Sequence, residues 1–552
     1  MGLLYGHTLD YGWWFDDSQI LKHATQYSPW EYFFVPKAWQ DLIPYHLTPW
    51  LSLAYDLDLA LFGFRPAGFY AHNLAMLWLA GVLMYVLARQ WVSGWFALTG
   101  ATLFLVSAPA AIAAHALMTR HYVEGLVAYL AALLLFLHAL KLTGNKHYWA
   151  IASGIVFAVA ASAKEVFLPL GFLPLFLPIG HWRDRFRLAL PWVVVMALYV
   201  PWRIWMLENA VGGYQPVGVL IKQVDIRILL DQFSKIPVLL LGSYAAVGWT
   251  ALLSAFSVYL LLRRNGLEAY ALWIVLIPLI LVFLLAIPLL PLALTAELSG
   301  DGGEYRFIVL WAAFALLLVI GIGRALSNFL ISGLLLTPVL ITTAMTGMRA
   351  VDALQPKKLE YSALSNAIVE LGQDDVIVID SGISGHFPLG ILDLRLRLGG
   401  KGMPPKLAAD ESQLAKALAD GAQRVWRYQA EAGTMVDITN TVKDILANWR
   451  GRIRSVELAV EIRFDAKAGE IHWSLGPYSE GQYFYLADQV RIGIPRQGAI
   501  RRKKFSFDKE CFLIRYDAPA GWIAYTPRLC MPPLDSNGIT LLSWQGRSDL
   551  AL

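Results

Sequence analysis

The chain has 552 residues, of which 57% are hydrophobic and only 16% charged, with a formal net charge of +4. A soluble domain carries about a quarter charged residues, and the shortfall here is concentrated in roughly the first 350 positions, where long apolar runs recur. The small net charge, with no basic-aromatic patch, excludes nucleic acid as a partner. The two cysteines, Cys511 and Cys530, exclude a disulfide-rich scaffold and any zinc-ligand spacing.

In chain order, Met1 to Leu9 is too short and too poor in basic residues for a signal peptide. The spacing from Ser18 to Tyr27 predicts an amphipathic helix on the membrane surface. Ile20, Leu21, Ala24 and Tyr27 share one face, and Lys22, His23 and Gln26 lie opposite. Pro29, Pro36, Pro44 and Pro49 then break the chain, and Trp50–Phe62 reads as a second interfacial helix.

A helix crossing a ~30 Å hydrocarbon core needs about 20 apolar residues. Ten runs meet that description: 69–88, 95–113, 122–141, 148–164, 166–180, 188–205, 236–262, 268–292, 306–323 and 329–348. Trp78, Trp91, Trp95, Trp149, Trp192 and Trp202 lie near the ends of these runs, as interfacial indoles do.

Short basic loops follow alternate spans, at Arg89, Lys141 and Lys146, His181–Arg187, Arg263-Arg264 and Arg324. By the positive-inside rule these face the cytoplasm. Residues 1–68 and everything after 349 then lie on the outer side. An outer N-terminal loop with no helix before it is hard to translocate, so a further spanning helix upstream of this sequence is expected. The alternative is that span 69–88 carries its own short tail across.

After Arg349 no run is long enough to span. Asp375-Val-Ile-Val-Ile-Asp380 reads as a buried strand and Glu411–Ala419 as a polar helix. Alternating segments follow at Val456–Phe464, Glu470–Ser474, Gln482–Leu486, Cys511–Tyr516 and Trp522–Tyr525. The fold expected is a polytopic α-helical membrane protein in three parts. Residues 1–68 form an outer acidic loop with interfacial helices, and 69–348 form a transmembrane domain. Residues 349–552 form an extracytoplasmic domain, first α/β and then β-rich and sandwich-like. That outer placement puts Cys511 and Cys530 in an oxidising compartment, where a disulfide between them fits. Trp473, Tyr478 and Tyr483 are candidates for contacting an acceptor glycan.

Asp16 and Asp17 sit at the start of the first amphipathic helix. Acids there cap free N–H groups and suit the helix dipole. Two close carboxylates at a membrane boundary also suit proton abstraction, since like charges raise one pKa.

The segment His46-Leu-Thr-Pro-Trp-Leu-Ser-Leu-Ala-Tyr-Asp-Leu-Asp-Leu-Ala-Leu-Phe-Gly-Phe-Arg-Pro-Ala-Gly-Phe-Tyr-Ala-His-Asn-Leu74 resembles the stretch after the acidic loop in the protein O-mannosyltransferase superfamily. The likeness is strongest to its transmembrane tetratricopeptide members and their bacterial relatives, and includes Asn73. Ala163-Lys-Glu-Val-Phe-Leu-Pro169 resembles that family's Lys-Glu turn, and Gly303-Glu-Tyr-Arg-Phe307 its outer Glu-Arg-Tyr motif in altered order. Met118–Glu124 sits where the family has an arginine-bearing loop. His46 stands where the family's Tyr-Arg-Pro-Leu has arginine, and the tetratricopeptide repeats are replaced by the β-rich domain.

The resemblance implies a GT-C fold with about ten or eleven spanning helices, in a bacterial cytoplasmic membrane. It implies inverting transfer of a sugar from a polyprenyl-phosphate donor to an outer acceptor, a protein hydroxyl or an envelope glycan or lipid. Asp16 or Asp17 is then the general base. Arg306, Arg120 and Lys164 bind the donor phosphate, supported by Glu165, Glu304, Tyr305, His46, His121 and Asn73. Paired acids with a lipid phosphate can also hold Mg²⁺ or Mn²⁺, although no spacing demands a metal. The alternative function is a non-catalytic scaffold or glycan-binding subunit on the same fold.

Overall fold

The computed structural model describes residues 2–43, 46–177, 179–208, 226–265, 303–326, 328–379, 386–397, 402–465, 470–487, 490–501, 511–531 and 538–548, with isolated positions between 277 and 290. The chain forms two compact units. One contains Met1–Tyr11, Tyr27–Gly212 and Gln223–Gln355, and the other contains Gly12–Gln26 and Pro356–Leu552.

Among the described residues, six helices are long and apolar enough to cross a membrane: Pro66–Ala88, Leu117–Lys141, Leu190–Leu207, Tyr244–Leu261, Gly303–Ala325 and Leu330–Glu370. A seventh is the pair Gly94–Leu105 and Ala108–His115, bent by 55°. The bend falls where Ser107 caps the second helix and Pro109 brings no N–H to continue the first. These helices make the chain an integral membrane protein.

The count differs from the ten apolar runs for local reasons. Run 268–292 lies almost wholly outside the described residues. Run 236–262 is two helices, Ile226–Leu241 and Tyr244–Asn265, which part at Gly242 with φ +82°. A Cβ at Gly242 would lie 2.2 Å from Thr346 Oγ1, so only glycine fits there. Run 148–164 forms the helix Lys146–Ala163, whose first turn is polar (Lys146, His147, Tyr148). Run 166–180 is not a span. Pro169 and Pro174 divide it into short turns, Glu165–Phe167, Pro169–Phe172 and Leu173–Phe176.

Those turns pack into the bundle and fix the Lys164-Glu165 segment. Phe167 is fully buried, and its ring lies where a Cβ on Gly125 would be, 2.3 Å away. Trp192 is also a core residue and not an interfacial one. It is fully buried, stacks on Phe157 at 4.3 Å, and donates Nε1–H to Ser153 Oγ at 2.8 Å.

In the second unit, strands β1 (Asp375–Val378), β2 (Lys406–Ala408), β3 (Arg424–Gln429) and β4 (Thr434–Asp437) form a sheet of order β2-β1-β3-β4. β1 is parallel to both β2 and β3. The helices His386–Arg397 and Glu411–Ala419 lie in the two crossovers, as parallel pairing requires. The β-rich part has two antiparallel sheets. Strands β5 (Glu457–Asp465), β6 (Glu470–Gly476), β9 (Gln497–Arg501) and β13 (Ile539–Arg547) give the order β13-β5-β6-β9. Strands β7 (Gln482–Ala487), β8 (Val490–Ile494), β10 (Cys511–Asp517) and β11 (Ile523–Tyr525) give β11-β10-β7-β8, with β12 (Leu529–Cys530) beside β10.

Side chains from both sheets share one core, including Val460, Phe464 and Ile471 from the first and Tyr483, Ile514 and Tyr516 from the second. That is a sandwich. Cys511 and Cys530 face each other across β10 and β12 and are joined in a disulfide. Tyr483 is buried and Tyr478 stacks on Tyr516 at 4.8 Å, so these two rings serve the sandwich core.

Candidate active site

In the first unit, three segments bring cations near one another. Lys164 is the residue after the helix Lys146–Ala163, and its extended backbone turns the chain into the Glu165–Phe167 turn. Its Nζ lies 5.4 Å from the centroid of the Tyr122 ring. Tyr122 meets Tyr305 edge to face at 5.4 Å, and the Arg306 guanidinium lies over Tyr305 at 5.7 Å. Arg203, in the last turns of the helix Leu190–Leu207, forms an ion pair with Glu165.

Glu165 is the joint of this group. Its carboxylate also accepts the backbone N–H of Leu47 at 3.0 Å and lies 3.8 Å from His46 Nδ1. His46 therefore lies beside Glu165 and, through it, next to Arg203. Burial, and then the positive charge of Lys164, Arg203 and Arg306, hold its imidazole well below the usual histidine range. His121, at the start of the helix Arg120–Lys141, stacks near Tyr122 at 4.6 Å and lies within electrostatic reach of Lys164 and His46. Glu304 shares the turn Gly303–Phe307 with Tyr305 and Arg306.

The structure thus brings together Lys164, Glu165, Tyr305, Arg306, His46 and His121, and adds Arg203, which the sequence reading passes over. Its only signal in the sequence is an arginine within an apolar run, Pro201-Trp-Arg-Ile-Trp205.

Arg120 is placed otherwise. It is fully buried and bonds to Asp58 at 2.5 Å and to Glu124 at 2.7 Å. His72 Nδ1 lies 2.7 Å from Asp58, and Trp50 donates Nε1–H to Glu124 at 2.8 Å. Both carboxylates bond the guanidinium, and the network joins the helices Pro49–Phe62, Pro66–Ala88 and Arg120–Lys141. Asn73 is likewise a buried tie between elements, donating to the Ala113 carbonyl at 2.8 Å.

The acidic pair belongs to the second unit. The helix Asp17–Gln26 packs its apolar face, Ile20, Leu21 and Ala24, inside the protein, and His23 is buried with them. Ser18 fits against Gly390, and its hydroxyl donates to the Phe387 carbonyl at 3.2 Å. This helix packs against the helix His386–Arg397 through Ser18 and Lys22, and the face expected to meet lipid, Ile20, Leu21 and Ala24, is buried.

The two acids differ. Asp17 is fully buried, and its Oδ2 accepts the Trp14 N–H at 3.0 Å. Lys358 lies over the Trp14 ring at 5.1 Å and interacts electrostatically with Asp17. Asp17 therefore clamps the turn. Asp16 caps the helix through its backbone carbonyl, which accepts from Gln19 N at 3.0 Å and Ile20 N at 3.2 Å. Its side chain is partly open to solvent yet crowded by protein, and burial pushes its carboxyl up to about 6. Phe15, just before it, has a left-handed backbone with φ +53°, a conformation that costs a non-glycine residue about 1 kcal/mol.

Among the described residues, no three His, Cys, Asp or Glu side chains gather as metal ligands. No family model and no curated protein matches this chain. Among solved structures, the crystal structure of ArnT from Cupriavidus metallidurans in the apo state is similar, with a TM-score of 0.43 and 14% identity, over 83% of this chain and 90% of that chain.

Proposed function

We propose that this chain is a GT-C-type glycosyltransferase that moves a sugar from a polyprenyl-phosphate donor to an acceptor hydroxyl on the outer face of the membrane. The observation that carries the reading is the run of contacts that links Lys164 through Tyr122 and Tyr305 to Arg306, with Arg203 paired to Glu165 next to Lys164. Lys164, Arg203 and Arg306 come from three segments, Glu165 answers one of them, and an entering anion would be held by the set. A lipid phosphate is the anion that a membrane bundle meets at the headgroup level.

In this scheme the acceptor oxygen attacks the anomeric carbon from the face opposite the phosphate, and the carbon–oxygen bond to phosphate breaks. By the resemblance to O-mannosyltransferases, the acceptor proton goes to an acid of the Asp16-Asp17 pair. The lipid phosphate leaves with one more negative charge than it had in the donor, and Lys164, Arg203 and Arg306 stabilise that charge. Arginine suits the task because its planar fork binds two phosphate oxygens at once. The residues 46–74 support a protein hydroxyl as acceptor by their resemblance to O-mannosyltransferases. No step is routed through a metal.

The test is transfer from a panel of polyprenyl-phosphate sugars by the purified full-length chain, compared with Asp16→Asn and with Arg203→Gln. Both variants are expected to lose at least a hundredfold in rate, within the range of about 10²–10⁴ for a positioned base. Undiminished transfer by Asp16→Asn would remove the base assignment. Phosphate binding without transfer from any donor would favour the scaffold reading.

A further inference from the structure

We propose that Tyr122 is a positioning residue of this cation site, and that its π face holds the Lys164 ammonium in place to receive the anion. The inference rests on the reading of the site as one for a lipid phosphate, and it adds Tyr122 to the groups that serve it.

The cations of this region are held in different ways. Arg120 is bonded by Asp58 and Glu124, and Arg203 is paired with Glu165. Arg306 lies over the ring of its neighbour Tyr305 at 5.7 Å. Lys164 is half-buried, and among the described residues no carboxylate pairs with its ammonium. Its Nζ lies instead 5.4 Å from the centroid of the Tyr122 ring, within the ~6 Å over which a ring face attracts a cation. A ring face holds the ammonium without cancelling its charge, as a paired carboxylate would. An entering anion then meets a full positive charge with N–H donors to bond it.

Packing explains why the two residues meet. Tyr122 is buried in the first turn of the helix Arg120–Lys141. One turn on, Gly125 leaves the space that the Phe167 ring fills, and Tyr129 stacks on the same ring at 6.0 Å. Phe167 ends the turn Glu165–Phe167, so its seat against this helix carries the Lys164 backbone to the level of Tyr122. Tyr122 in turn meets Tyr305 edge to face at 5.4 Å, and the His121 ring lies beside it at 4.6 Å. The tyrosine is thus wedged between its neighbours, and it ties the position of Lys164 to the turn that carries Arg306. Leucine in its place keeps much of the bulk and loses the negative ring face, whereas phenylalanine keeps both.

The experiment is titration calorimetry of a short-chain polyprenyl phosphate monoester on the full-length chain in nanodiscs. Wild type is compared with Tyr122→Phe, Tyr122→Leu, Lys164→Met and the double variant that joins Tyr122→Leu to Lys164→Met. The phenylalanine variant is expected to bind about as well as wild type, and the leucine variant about tenfold more weakly. In the Lys164→Met background the leucine substitution is expected to cost nothing further, because the ring then has no ammonium to hold. A series of phenylalanines with increasing ring fluorination at position 122 keeps the shape and drains the ring face. Affinity is expected to fall stepwise along it, and this series decides the matter if Tyr122→Leu fails to fold. Unchanged affinity along the series, or equal losses from Tyr122→Leu with and without Lys164, would overturn the role of Tyr122 alone. A wild type that does not bind the monoester would overturn the phosphate reading, and this inference with it.

Discussion

Arg203 and Glu165 form an ion pair in which the carboxylate also accepts the backbone N–H of Leu47. One acid thus ties the end of the helix Leu190–Leu207 to the Lys164 turn and to the loop that carries His46. Removing one member of a buried pair leaves the other uncompensated and costs about 3–5 kcal/mol. Glu165 keeps 21% of its side chain exposed, so Arg203→Gln is expected to cost less, about 2–3 kcal/mol. Thermal unfolding in detergent measures this, and Glu165→Ala should be at least as destabilising because it also releases the Leu47 N–H.

The contrast between Arg203 and Arg120 shows what a sequence exposes and what it hides. Both are arginines at the ends of apolar runs, and chain position alone treats them alike. Their partners are distant in sequence: Asp58 for Arg120, Glu165 for Arg203. Only the packing of helices decides which guanidinium is neutralised by two acids and which joins Lys164 and Arg306. Periodic features were more legible. The spacing of Ile20, Leu21 and Ala24 marks the helix Asp17–Gln26, and the Val-Ile-Val run marks β1. What periodicity leaves open is the cover: an apolar stripe suits lipid and protein equally, and here Ile20, Leu21 and Ala24 are buried by protein.

Arg120 should therefore behave as a structural residue. Arg120→Met strands the fully buried Asp58 beside Glu124, and it is expected to lower stability by about 3–5 kcal/mol. Transfer per folded molecule, measured after removing unfolded material by gel filtration, should fall less than tenfold. A larger loss with full stability would return Arg120 to the phosphate-binding set.

Arg515 plays a comparable part in the second unit. It is nearly fully buried on β10 and bonds to Asp410, Glu411 and Asp517, while Tyr525 donates to Asp410 at 3.2 Å. Asp410 also caps the helix Glu411–Ala419 through Ser412 N at 2.8 Å. The arginine thus joins the α/β sheet to the sandwich. Arg515→Leu leaves three carboxylates facing one another and is expected to cost about 4 kcal/mol. Limited proteolysis should then cut between the sheet and the sandwich, and uncut protein would argue that the two parts are held by apolar packing alone.

Asp16 gives the sharpest test, because its environment predicts opposite effects on stability and rate. Its carboxyl is raised to about 6 by burial, so the folded chain holds the proton more tightly than the unfolded chain. Stability from this group is present at low pH and is lost as pH rises through about 6. At about pH 7.5 the wild type carries the cost of an ionised, crowded carboxylate, and Asp16→Asn does not. The variant should melt a few degrees higher there, and the difference should shrink as pH falls and vanish near pH 3, where Asp16 is protonated in both the folded and the unfolded chain. Transfer moves the other way. The base must be ionised, so the wild-type rate should climb about tenfold per pH unit up to pH about 6 and level off above it. Asp16→Asn should be slow and flat across that range. Asp17 offers the control: with its carboxylate bonded to the Trp14 N–H, Asp17→Asn should lower stability and leave the position of the rise near 6 unmoved. A rise that disappears in Asp17→Asn and survives in Asp16→Asn would exchange the two assignments.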